Sequence, residues 1–167
     1  MRGRGKLLFM CGKMAAGKST LARELTARHE DAVLLVQDDL LEALYPGQFI
    51  DFDAFLKYSN RLRATLAPHV VSLLSLGLTV VLDFPANTKR AREWFRGMYE
   101  SAGAGHELHF IVASDDLCKL QLRQRSLDLK LARGTKWTTV EDFDEVTSYF
   151  EPPAAVEGFN VIRHERG

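Results

Sequence analysis

The stretch Gly12-Lys13-Met14-Ala15-Ala16-Gly17-Lys18-Ser19 decides the reading of this chain. It runs glycine, four arbitrary residues, glycine, lysine, serine, the pattern of a loop that wraps backbone amides around phosphates. Its surroundings match. Leu7-Leu8-Phe9-Met10-Cys11 just before it is a short apolar run suited to a buried strand, and Ser19-Thr20-Leu21-Ala22-Arg23-Glu24-Leu25 just after it reads as a helix. The first turn of such a helix adds unpaired amides and the positive end of its dipole. Gly12 is expected to take dihedrals closed to other residues, and Gly17 to let the main chain approach an anion. Lys18 is placed to reach the β and γ phosphates, and the Ser19 hydroxyl to ligate magnesium; Thr20 is a further candidate phosphate contact. The bland alternative is a glycine-rich turn that holds no ligand.

At 167 residues the chain is long enough for one complete core and short for two, so a single domain spanning 1–167 is expected. Its 22 basic and 22 acidic side chains balance, so no net field favours nucleic acid or an anionic membrane. The basic start, Met1 to Lys6, is followed by an apolar run that stops at Gly12-Lys13, too soon for a signal peptide, and no stretch is suited to spanning a bilayer. The two cysteines, Cys11 and Cys118, read as reduced core thiols, which suits a cytoplasmic location. The five histidines have no metal-binding spacing.

Apolar runs at about 6–11, 32–36, 78–82, 107–112 and 159–162 alternate with helical patterns at about 18–29, 39–45, 52–76, 88–102, 115–132 and 139–149. Alternation of this kind predicts an α/β fold with a five-stranded parallel sheet between helices. Pro68 is expected to kink the longest helix or to start a second one, because it lacks an amide donor. Ligands of such sheets bind at the carboxyl ends of the strands, which directs attention to Asp38-Asp39 after the second strand and Asp83 after the third.

Phosphoryl transfer to an alcohol is helped by a carboxylate that orients the hydroxyl and accepts its proton. Asp38 is the first candidate for that base; Asp39 is the other candidate, or a cap for the helix that follows. Asp83, after the apolar Val80-Val81-Leu82, fits a carboxylate near magnesium, with a plain turn as its alternative. Between Arg123 and Lys136 the basic residues Arg123, Arg125, Lys130, Arg133 and Lys136 suit a helical lid at about 123–138 that brings guanidinium groups to the transferring phosphate. A solvated helical face is the alternative reading. Tyr45, Phe49, Phe52, Phe55 and Tyr58 cluster where an acceptor pocket or simple core packing is expected, and Trp94, Phe95 and Trp137 are candidate adenine or acceptor contacts with core or lid packing as the alternative.

Taken together, Gly12 to Thr20, Asp38-Asp39, Asp83 with Asn87, Arg125-Ser126 and Arg133-Gly134-Thr135-Lys136 resemble the small P-loop kinases (AAA_33-like) grouped with phage-type polynucleotide kinase, zeta toxins and chloramphenicol phosphotransferase. The resemblance implies a three-layer P-loop NTPase fold, ATP and Mg2+ bound by the loop from Gly12 to Thr20, Asp38 as general base, and Arg125 and Arg133 as lid residues, with Asp83 helping to place one of them. It implies a small-molecule or nucleotide acceptor. Phage-type polynucleotide kinases carry a basic residue three positions after the base, where this chain has Leu41, so a nucleic-acid 5′-hydroxyl end is not favoured as acceptor. The other alternative is an ATP-dependent switch with no acceptor; Asp38 and the basic lid oppose it.

Overall fold

The computed structural model describes residues 4–48, 51–132 and 140–167, with 126–132 and 140 described by backbone alone. The chain alternates strand and helix: β1 (Lys6–Cys11), α1 (Lys18–Ala27), β2 (Ala32–Val36), α2 (Gln37–Leu44), α3 (Phe52–Ser75), β3 (Thr79–Pro85), α4 (Lys89–Ser101), β4 (Gly105–Ala113), α5 (Asp115–Ala132), α6 (Val140–Thr147) and β5 (Val161–Arg166). The five strands form one parallel sheet in the order β2-β3-β1-β4-β5. The expected α/β three-layer architecture is present. β1, which leads into the phosphate loop, lies at the centre, where chain connections leave in both directions and a crevice opens.

The unbroken apolar run of β1 is needed because both of its faces are covered. Leu7, Phe9 and Cys11 join Leu82, Phe84 and Phe110 in a core completed by Leu62, Val70 and Leu74 of α3 and by Phe95, Met98 and Tyr99 of α4. Leu8 and Met10 face the other way, onto Leu21, Ala22 and Leu25 of α1, Cys118 and Leu122 of α5 and Phe143 of α6. Both cysteines are free and buried, as expected for core thiols, and burial pushes the Cys11 thiol up to about 12. Three helix starts among the described residues are fixed by side-chain caps: Asp51 accepts from the Ala54 amide at 2.8 Å, Thr88 from the Ala91 amide at 3.0 Å and Ser114 from the Leu117 amide at 3.2 Å.

Three departures from the sequence reading have physical causes. Pro68 does not start a second helix; α3 runs through it from Phe52 to Ser75. The carbonyl deprived of a donor is that of Ala64, and both residues are exposed, so water can serve it. β3 does not end at Asp83 but continues to Pro85. Its pairing with β1 jumps from Phe9↔Leu82 to Met10↔Pro85, a bulge that holds Asp83 and Phe84. β5 is Val161–Arg166 and not 159–162. It is a half-exposed edge strand, and its charged residues conceal it from an apolar-run criterion.

One buried ion pair fastens the last crossover. Arg92 is fully buried and its guanidinium meets Glu157 at two points, Nε to Oε1 at 2.8 Å and Nη2 to Oε2 at 3.1 Å. Its Nη1 donates to the Ala86 and Glu151 carbonyls at 2.9 and 2.8 Å. Burial opposes the Glu157 charge, but Arg92 and the Ala154 amide outweigh it and hold the carboxyl below its ordinary value. Because the folded value is the lower one, this contribution is present above the unfolded value and is lost as pH falls through the folded one. Arg92→Met should therefore lower unfolding free energy by about 2–3 kcal/mol at neutral pH, since it strands a carboxylate and two carbonyls. Denaturant titration at neutral pH and at pH 3 checks this, with the difference shrinking at the lower pH.

Candidate functional site

The loop between β1 and α1 owes its path to two residues with left-handed backbone. Ala15 has φ 61° and Gly17 has φ 105°. The expected special dihedral is found at Gly17 and not at Gly12. Gly17 supplies the left-handed dihedral. Gly12 has no positive φ but is in close contact: a Cβ there would lie 3.3 Å from the Ile111 Cβ and carbonyl oxygen. A Cβ on Gly17 would meet the Arg166 guanidinium carbon at 3.4 Å, so the end of β5 borders the loop.

Helix α1 opens with no side-chain cap and no acidic residue in its first turn, which leaves its positive end unneutralised. Lys18, its first residue, folds back over the loop, with Nζ donating to the Gly12 carbonyl at 2.5 Å and to the Lys13 carbonyl at 2.9 Å. Ser19 is half-buried beside it and Thr20 is exposed. Met14, Ala15 and Ala16 pack onto the α1 side of the core. Lys13 points away to pair with Asp115 at 2.5 Å. The Asn87 side chain accepts from the Gly12 amide at 3.0 Å, which ties the loop to the end of β3.

Asp38 and Asp39 lie in the first turn of α2, which begins at Gln37 and not at residue 39. The position before it is Val36, and no side chain caps the helix, so neither aspartate serves as an N-cap. Asp38 is exposed to the cleft but has protein on most sides. Burial raises its carboxyl from the ordinary value; Arg125 opposes this, Asp83 adds to it, Lys18 opposes it and Asp39 adds to it. Burial lowers the Lys18 ammonium, while Cys11, Asp83 and Asp38 pull it back up. An arriving polyphosphate would pull it further in that direction. Lys18, Asp38, Asp83 and Arg125 thus share one electrostatic neighbourhood, although they come from four different elements.

Arg125 is exposed on α5. Arg133 and the lid from 133 to 138 lie outside the described residues, as do Phe49 and Trp137. Asp83 is half-buried within β3, on the bulge. Magnesium takes oxygen ligands, keeps several waters and shares phosphate oxygens with the protein. The Ser19 hydroxyl and Asp83 carboxylate fit that donor set. Among the described residues, no three His, Cys, Asp or Glu side chains gather as a metal cluster. An open hollow of about 630 Å³, lined by Leu117, Gln121, His164, Glu165, Arg166 and Gly167, adjoins the loop through Arg166. Sequence reasoning overlooked Arg166 because nothing in the spacing of an edge strand links it to residue 17.

The AAA_33 family, described as an AAA domain, matches residues 7–153, and the chain belongs to that family. Its fold is of the P-loop NTPase type. A structure from Chloroflexus aurantiacus described as a "putative kinase" superposes with a TM-score of 0.77 at 19% identity, covering 98% of this chain and 89% of that one. Kti12 of Chaetomium thermophilum in complex with ADP-AlF3 gives 0.71 at 17% identity over 95% and 88% of the two chains. The Mycobacterium tuberculosis APS kinase CysC in complex with AMPPNP and APS gives 0.63 at 21% over 97% and 88%. No curated protein matches the chain. No helix among the described residues is long and apolar enough to cross a membrane.

The two left-handed positions predict different responses. Gly17→Ala should destabilise by about 1–2 kcal/mol, because alanine resists that dihedral. Ala15→Gly relieves the same kind of strain against a greater loss of chain entropy and should stay within about 1 kcal/mol of wild type. Thermal unfolding of the two variants measures both.

Proposed function

We propose that this protein is an ATP-dependent phosphotransferase that moves the γ-phosphoryl group to a hydroxyl of a small molecule or nucleotide. The observation that carries the reading is the meeting of Lys18, Asp38, Asp83 and Arg125 at the carboxyl edge of the sheet, beside an uncapped helix start. A loop that only held Mg·nucleotide would account for Asp83 but would need no second carboxylate, such as Asp38, as base for a foreign hydroxyl. The nucleotide complexes of CysC and Kti12 support this reading by likeness of fold.

In the proposed reaction the loop from Gly12 to Thr20 encloses the β and γ phosphates with main-chain amides, and Lys18 leaves the Gly12 and Lys13 carbonyls for phosphate oxygens. Asp38 orients the acceptor hydroxyl and takes its proton as the new O–P bond forms. The γ-phosphorus bond to ADP breaks in line with that attack, and Lys18 stabilises the charge left on ADP. Arg125, and Arg133 from the basic segment at about 123–138, neutralise charge on the group in flight and help exclude water. Ser19 and Asp83 would hold Mg2+, which neutralises phosphate charge when bound. The hollow beside Arg166 has the volume for a nucleoside. One domain spanning 1–167, a lid and a cytoplasmic setting complete the proposal.

Lys18→Ala should weaken Mg·ATP binding by about tenfold or more, as expected when a charge-assisted phosphate contact is removed. Isothermal calorimetry reads it, and unchanged affinity and turnover would overturn the assignment. Asp38→Asn should retain Mg·ATP affinity while acceptor-dependent ADP release falls by roughly 10²–10⁴, the usual contribution of a general base. Asp38 must be ionised to accept a proton, so turnover should fall as pH drops through its raised value, with the acid limb above the ordinary aspartate range. A profile flat to pH 4 would contradict that role.

A further inference from the structure

Arg63 of α3 is a mostly buried guanidinium that pairs with no carboxylate among the described residues. Its Nε donates to the Gln37 side chain at 3.2 Å and its Nη2 to the Pro85 carbonyl at 3.2 Å. Its charge lies over the Trp94 ring, 5.2 Å from the centroid. Burial alone pulls it down, to about 10, with no acid to offset the loss. Buried arginines are ordinarily paired, as Arg92 is with Glu157 in the same core. Arg63 is also held at a telling place. Gln37 immediately precedes the proposed base, and Pro85 closes the strand that carries Asp83.

The surrounding polar atoms are in the same condition. The Ser59 hydroxyl, one turn before Arg63 on the same side of α3, is buried and has no hydrogen-bond partner among the described residues, and neither has the Trp94 indole N–H. The hydroxyl does have a local option. Thr65, Ser72 and Ser75 of the same helix each donate to the carbonyl four residues back, at 2.9, 3.0 and 2.8 Å, and Ser59 does not. Arg63 thus stands between the residue before the proposed base and the end of β3 with its charge unpaired, and two buried donors of α3 and α4 flank it; a group that is acceptor-only and negative would satisfy the guanidinium.

We propose that Arg63, with Ser59 and Trp94, seats an oxyanion carried by the phosphate acceptor, so that the acceptor is a small alcohol bearing a phosphate or carboxylate group. This rests on the phosphotransferase reading for its meaning, but the anion site can be tested without turnover. Arg63 takes over the anion-holding task that Leu41, on α2, cannot perform.

Trp94 reports on the site directly, because the guanidinium lies on its ring. In a Trp137→Phe background, which leaves Trp94 as the remaining one of the two tryptophans, the protein is saturated with Mg·AMPPNP and titrated with inorganic phosphate and with acetate. A saturable change in Trp94 fluorescence is expected with at least one of them; phosphate alone identifies a phosphate-bearing acceptor and acetate alone a carboxylate. Affinity should fall about tenfold or more in Arg63→Gln, by loss of a charge-assisted contact, and less in Arg63→Lys and Ser59→Ala. The bound Mg·AMPPNP keeps the phosphate loop occupied, which separates this site from it. No saturable response in the protein with Arg63 intact, or an undiminished one in Arg63→Gln, overturns the inference. If no alcohol drives ADP release while the titration behaves as expected, the phosphotransferase reading fails and the anion site stands.

Discussion

The site depends on the path of five or six residues of backbone. Left-handed dihedrals at Ala15 and Gly17 turn the chain sharply enough to enter α1 with the amides of its first turn uncapped. Two neighbours hold that path. Gly12 is pressed against Ile111 of β4 on one side and gives its amide to Asn87, just past β3, on the other. Both contacts require β1 to be interior to the sheet with β3 and β4 flanking it, and the strand order provides that arrangement. Lys18 then reaches back to the loop carbonyls and closes the ring from inside. The strain at Ala15 persists because these contacts over-determine the turn.

Two arginines make opposite use of burial. Arg92 spends its hydrogen-bonding capacity within the protein: a carboxylate at two points and two main-chain carbonyls fix the crossover before β5 to the start of α4. Among the described residues Arg63 donates only to neutral oxygens, from Gln37 and Pro85. The first arrangement is self-sufficient and acts on stability. The second leaves charge unbalanced beside the proposed acceptor cleft, which is the arrangement expected where a ligand completes the pairing.

Much of this was legible in the sequence, for identifiable reasons. The phosphate loop could be read because its requirements are local: small residues where the chain turns or is crowded, and a lysine and a hydroxyl at fixed offsets. β1 and β2 could be read because buried parallel strands are continuous apolar runs. β5 is an edge strand of the composition Val-Ile-Arg-His-Glu-Arg, so its extent was hidden, and the bulge that carries Asp83 past residue 82 depends on its partner β1. Asp38 was placed correctly at the end of β2, but its nearness to Arg125 depends on how α5 packs. Arg63, Ser59 and Arg92 could not be singled out, since each looks like an ordinary helix residue until the tertiary fold supplies or withholds its partner.

The central claim is that a polyphosphate tail seats in the loop ahead of α1. A crystal structure with Mg·AMPPNP tests it most directly. The triphosphate is expected to run along Gly12 to Ser19, with Lys18 Nζ moved from the Gly12 and Lys13 carbonyls onto phosphate oxygens. Nucleotide bound elsewhere, with Lys18 still on those carbonyls, would contradict it.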